Sequence, residues 1–152
     1  MWSKAREAIK NSSEKTSVYI GCDSNCFDKR GVMYANYSTV IVVHKDSSKG
    51  AQVFHNSFKM KDYGVLETRL MMEVSCALEA FDAIKDVIGN RYLELHIDVN
   101  PDPHYASNRV SSQAIGWVRS MGIEAKIKPD SFAASSVADK VARLNQGVLV
   151  DA

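Results

Sequence analysis

Cysteine is scarce in this 152-residue chain, and the three present, Cys22, Cys26 and Cys76, follow no pattern. Cys22 and Cys26 stand close together but lack a second pair and suitably spaced histidines, which argues against zinc. Free thiols beside six methionines point to a reducing, cytoplasmic setting, and Cys22 reads as a small buried residue of a strand. Long apolar runs are missing too. None approaches the roughly 18 residues of a membrane-spanning helix, so no membrane partner is expected. The charged opening at residues 1–10 lacks the apolar centre of a signal peptide. Net charge is nearly absent at +1, so composition neither suggests nor excludes a nucleic-acid partner, and any basic surface has to be local. There is no internal repeat or low-complexity tract.

What is present is ordinary for a soluble globular protein: 45% hydrophobic and 24% charged residues. At this length one domain is expected, burying about 68–70% of the surface its unfolded chain exposes. Residues 1–16 read as a flexible lead-in with a helical hint at 4–10, residues 17–147 as the domain, and 148–152 as a tail. Residues 17–23 form a first strand, and the polar stretch 25–31 reads as a turn. Residues 33–45, centred on Val40-Ile41-Val42-Val43, and 51–60 form two more strands. Leu66, Leu70, Val74, Ala77, Phe81, Ile84 and Ile88 then recur at helical spacing, and Gly89-Asn90 stops the helix. A strand follows near 93–98. Pro101-Asp102-Pro103 forces a loop. Ser107 can cap a helix reaching about residue 121, with Val110, Ala114, Trp117 and Met121 on one face. A short strand at 123–128 and a last helix at about 133–145 complete the order β-β-β-α-β-α-β-α. That order implies an α/β fold, with a mixed sheet and helices packed on it.

Three acids stand out, two of them at the ends of apolar strands, where an unpaired charge is costly. Val18-Tyr19-Ile20-Gly21-Cys22-Asp23-Ser24 is a buried strand ending in a carboxylate, and Leu93-Glu94-Leu95-His96-Ile97-Asp98 repeats the arrangement. Asp139 lies on the last helix. Such charges need partners, and a shared divalent metal is the reading that uses all three. Separately, Asp23 reads equally as a turn acid, Asp98 as a loop cap, and Asp139 as an exposed helix acid. His96 shares the face of Asp98 in a regular strand and reads as a core histidine. His104, in the loop beyond, is placed to meet substrate or solvent. Lys126, Lys128, Lys140 and Arg143 lie near the last acid and can contact phosphates or line a solvated face. Trp117 reads as core.

The element order and the acids together resemble the ribonuclease H-like superfamily, which has a five-stranded mixed sheet of this kind. Tyr19-Ile20-Gly21-Cys22-Asp23-Ser24, Thr39-Val40-Ile41-Val42-Val43-His44-Lys45, His96-Ile97-Asp98 and the run from Lys126 to Asp139 look more narrowly like its YkuK-type branch. The resemblance implies a catalytic and metal-binding set of Asp23, Glu73, Asp98 and Asp139, with Glu67 the alternative helix acid. Oxygen-only ligands suit Mg2+ or Mn2+, and a two-metal arrangement suits phosphodiester hydrolysis. By this reading Asp23 bridges two ions, Glu73 and Asp98 complete one, and Asp139 the other. Ser24, Lys128, Lys140 and His104 are the candidate substrate contacts. The implied function is a divalent-metal-dependent nuclease acting on RNA, RNA–DNA hybrid or structured DNA. The alternative is a non-catalytic module of the same fold that binds nucleic acid or protein.

Overall fold

A computed structural model of the chain describes residues 1–99, 102, 104, 108–133 and 138. Three long strands, β1 (Ser17–Lys29), β2 (Val32–His44) and β3 (Ala51–Lys61), form an antiparallel meander. Two short ones, β4 (Tyr92–His96) and β5 (Glu124–Lys126), add in parallel on the other side of β1. The sheet order is β3-β2-β1-β4-β5, so β1 is the central strand. This is the mixed α/β sheet that the sequence implies.

The helices are α1 (Ser3–Lys10), α2 (Leu66–Ile88) and α3 (Asn108–Ser120). Side chains alternate across a strand, and both faces of the sheet centre are covered. Val18, Ile20, Ile41, Val43 and Leu95 join the helices in the main core, where Leu70, Val74, Ala77 and Ile84 of α2 are buried against them. Val40 and Val42 point the other way, toward Tyr19, Ala133 and Ala138. Such two-sided burial is why the centre of β2 is a continuous β-branched run.

Three expectations change. The lead-in is partly built into the domain: Trp2, Ala5 and Ile9 are buried in the main core, at the spacing of one helix face. Arg6 fixes that helix to α2, donating to both carboxylate oxygens of Asp86 at 2.5 and 2.9 Å and to the Ala83 carbonyl at 2.6 Å. The turn expected over 25–31 shrinks to Arg30-Gly31, both with positive φ (53° and 79°), as a two-residue hairpin requires. The polar residues before it pair with β2 instead. On α3 the buried stripe is Val110, Ala114 and Val118, and Trp117 is left 38% exposed with Met121, because a four-residue step fits the helix period and places residues 117 and 121 at the rim. Of the last helix, Phe132, Ala133 and Ala138 are described and helical; the Ser107 cap, the rest of 133–145 and the tail lie outside the described residues.

Candidate active site

Strand β1 pairs with β2 along its whole length, but with β4 only from Ser17 to Gly21. The last parallel partners are Gly21 and His96. Two residues further along each chain come Asp23 and Asp98. The crevice beyond the carboxyl ends of parallel strands is where open α/β sheets place their ligands. Asp23 is 8% exposed. Asp98 lies past the end of β4 and is partly buried.

Helix α2 brings a third acid from below. Its apolar stripe must face the sheet, and Glu73 sits between Leu70 and Val74 of that stripe, so it is drawn in and left 7% exposed. Ser24 Oγ donates to Glu73 Oε2 at 2.5 Å. Burial pushes the Glu73 carboxyl well above the usual carboxylate range, and the nearby charges of Asp23 and Asp98 push it further; the Ser24 hydrogen bond and Arg69 oppose this. Glu73 therefore senses both strand acids. The chain beyond β5 runs past Asp98, with Lys128 N donating to Val99 O at 3.2 Å. This places Lys128 Nζ 3.0 Å from Asp98 Oδ1. The contact is an ion pair without hydrogen-bond alignment, and that buried oxygen has no hydrogen bond.

A family model described as Ribonuclease H-like matches residues 1–143. The chain belongs to the ribonuclease H-like family. No curated protein matches it. Among solved structures it is similar to LC9-RNase H1, a type 1 RNase H with the type 2 active-site motif, at 16% identity and a TM-score of 0.44, over 90% of this chain and 77% of that one. It is also similar to endonuclease V from Bacillus subtilis, at 13% identity and a TM-score of 0.29, over 51% of this chain and 37% of that one.

Among the described residues no group of three or more His, Cys, Asp or Glu side chains is close enough to hold a metal as it stands. The donor chemistry nevertheless fits a hard dication. Asp23, Glu73 and Asp98 offer only oxygen, one oxygen of Asp98 lacks a hydrogen bond, and the repulsion from Asp23 and Asp98 that adds to the effect of burial on Glu73 is what a dication relieves. Asp139 and Lys140 lie outside the described residues. Glu67, the alternative helix acid, is half-buried and lines a groove with Met71, Val110 and Trp117. Ser24 serves Glu73, Lys128 sits on Asp98, and His104 is exposed with Nδ1 3.3 Å from Asp102 Oδ1.

One polar network was not foreseen. Ala133 N donates to His96 Nδ1 at 3.0 Å, which puts the ring proton on Nε2, 3.2 Å from Glu94 Oε1. Tyr92 Oη donates to the other oxygen of Glu94 at 2.8 Å. Burial holds His96 below its ordinary pKa, against the pull of Glu94. The core reading of His96 therefore fits, with an added role: it ties the start of the segment leading to Asp139 to the strand leading to Asp98. The available signal was Glu94 and His96 alternating with Leu93 and Leu95 in an internal strand. Asn36 was also missed. It is 1% exposed, and neither its Oδ1 nor its Nδ2 has a hydrogen bond, a cost of about 1–3 kcal/mol per orphaned group.

Proposed function

We propose that this chain is a divalent-metal-dependent nuclease of the YkuK-type branch, hydrolysing phosphodiester bonds of RNA, RNA–DNA hybrid or structured DNA in the cytoplasm. The observation that carries the reading is Glu73, a helix carboxyl buried against β1 and raised first by that burial, then by the charges of two acids remote in sequence, Asp23 and Asp98. Asp23, Glu73 and Asp98 would hold Mg2+ or Mn2+, with Asp139 completing the set. When bound, such ions stabilise charge on the attacking and leaving oxygens of the phosphodiester. Ser24 fixes the Glu73 carboxylate by its hydrogen bond. Lys128 neutralises Asp98 and, together with Lys140, is positioned in sequence to meet phosphate; His104 is the loop residue offered to substrate.

The pairing of Lys128 with Asp98 also favours a second reading, in which the acids are held by cations of the chain and the module binds nucleic acid without cutting it. Thermal melting against Mn2+ separates the two. A nuclease site should be stabilised by about 2.7 kcal/mol at a hundred times its Kd, and Asp23→Asn should remove both that rise and the cleavage of labelled substrates while leaving the fold intact. An Asp23→Asn protein that cuts as well as wild type would sink the nuclease reading.

A further inference from the structure

Beyond Asp23 the sheet runs on for three more rows on the same face. Register places Asp23, Ser38 and Ser57 in one row, Asn25, Asn36 and Lys59 in the next, then Phe27, Tyr34 and Lys61, and finally Lys29 with Val32. The Ser38 and Ser57 hydroxyls, 3.0 Å apart, confirm the shared face. Rows are about 7 Å apart, two residues of strand rise. The Phe27 and Tyr34 rings stack, with centroids 5.8 Å apart and planes 20° from parallel, and both are partly exposed. Lys59 Nζ lies 5.4 Å from the centre of the Phe27 ring. Since β2 separates β3 from β1, the stem of Lys59 crosses above β2 near Asn36.

Charge is sorted by face. The charged residues in the rows past Asp23 are Lys29, Lys59 and Lys61. Asp28 alternates to the opposite face, and Asp62 is held by Arg69 with Nη1 3.4 Å from Oδ2. An open aromatic pair flanked by lysines is the composition that binds single strands, through base stacking and phosphate contacts. Asn36 is an independent sign: an amide shielded from solvent, with its donor and acceptor both unused, sits in the middle of this face.

We infer that the sheet face from Asp23 to the β1–β2 hairpin is a platform for a single-stranded nucleic-acid segment. Bases stack on Phe27 and Tyr34, Lys59 and Lys61 take phosphates, and Asn36 pairs with a base edge once Lys59 swings toward the backbone. The platform delivers the strand to the acids at its lower end. This inference rests on the proposed function in taking the ligand to be nucleic acid, but it concerns binding and not cleavage.

Binding is read apart from cutting by fluorescence anisotropy. The Asp23→Asn protein is titrated in EDTA with labelled RNA or DNA strands of about 12 nucleotides, within the site sizes of single-strand binders. Phe27→Leu keeps an apolar side chain on the strand, removes the stack, and should weaken binding roughly tenfold. Tyr34→Leu removes the second ring and should weaken binding likewise. Lys59→Ala should weaken binding and lower the slope of log affinity against log salt by about 0.7. Met33→Ala, exposed on the opposite face, should change nothing. The inference is overturned if Phe27→Leu and Lys59→Ala bind as the parent does, if duplex is preferred and insensitive to Phe27, or if no strand binds at about 50 mM salt. A protein that binds strands through Phe27 yet cleaves nothing with Mn2+ defeats the nuclease reading and leaves the platform standing. One that cleaves with a KM indifferent to Phe27→Leu does the reverse.

Discussion

The two halves of β1 are built for different purposes. From Ser17 to Gly21 the strand has a neighbour on each side, and Val18 and Ile20 are fully buried. From Asp23 to Lys29 it keeps only β2, and its side chains become polar, aromatic and basic. The difference lies in strand length: β1 has 13 residues and β4 has 5. The sheet therefore splits just past Gly21, and the acids gather at that seam. A carboxylate in the first half would be buried with no room for a counterion, whereas at the seam it can reach other acids and cations. The scaffold is thus the doubly flanked half, and the chemistry proposed for this chain lies where the flanking stops.

The contrast is broken most severely at the seam itself. Removing partners that merely orient metal ligands costs about 10–100-fold in affinity or activity, so Asp23→Asn, which alters a proposed ligand directly, should lose a hundredfold or more of metal-dependent cleavage. Its unfolding midpoint without metal should be no lower than wild type. Ile20→Ala, three residues earlier, should do the opposite. It should cost about 2–5 kcal/mol in denaturant unfolding and leave the activity of each folded molecule unchanged. If both substitutions act on stability alone, the division of β1 has no functional meaning.

Glu73 sharpens the comparison through pH. Its carboxyl is raised in the folded protein, first by burial and then by Asp23. A raised acid keeps its proton in the native state after the unfolded chain has lost it. Its contribution to stability is therefore full below the ordinary carboxyl value of about 4.3 and is lost as pH rises through the raised one. Glu73→Gln mimics the protonated form and still accepts from Ser24. In EDTA it should be increasingly more stable than wild type as pH climbs from that ordinary value toward neutrality. Chemical denaturation at several pH values checks this, and parallel curves for the two proteins would mean that Glu73 carries no such burden.

Much of this arrangement was legible in the chain. The apolar stripe of α2 marked the helix, and Glu73, beside Val74 within that stripe, is buried, whereas Glu67, beside Leu66 at the helix start, is only partly so. Asp23 and Asp98 were visible as charges ending apolar runs. The second half of β1 was hidden. Ser24 to Lys29 is too polar to read as strand, and it holds that form only because Val32 to Tyr37 pairs with it. The platform of Phe27, Tyr34 and Lys59 was invisible for the same reason: its members come from three strands and meet only through register. The docking of α1 was hidden by its charges, since three apolar residues among five polar ones in Ser3–Lys10 resemble a lead-in until α2 supplies a surface for them.

The smallest expected effect is at Lys128, and it tests whether the seam is designed around charge. The ammonium lies 3.0 Å from Asp98 Oδ1, with both side chains partly exposed, so its worth to stability is at most about 1 kcal/mol. Lys128→Met should therefore barely move the unfolding midpoint. It should, however, remove a positive charge from the place where a dication would sit. Relief of about 1 kcal/mol of repulsion lowers the Mn2+ midpoint a few-fold, and the gain should shrink as salt is added, because exposed charges are screened over about 10 Å at 0.1 M. A parallel rise in KM for a nucleic-acid substrate would add a phosphate contact to the role of Lys128. If the Mn2+ midpoint does not move at low salt, the cation beside Asp98 is incidental, and the acids at the seam are held in place by something other than the metal proposed for them.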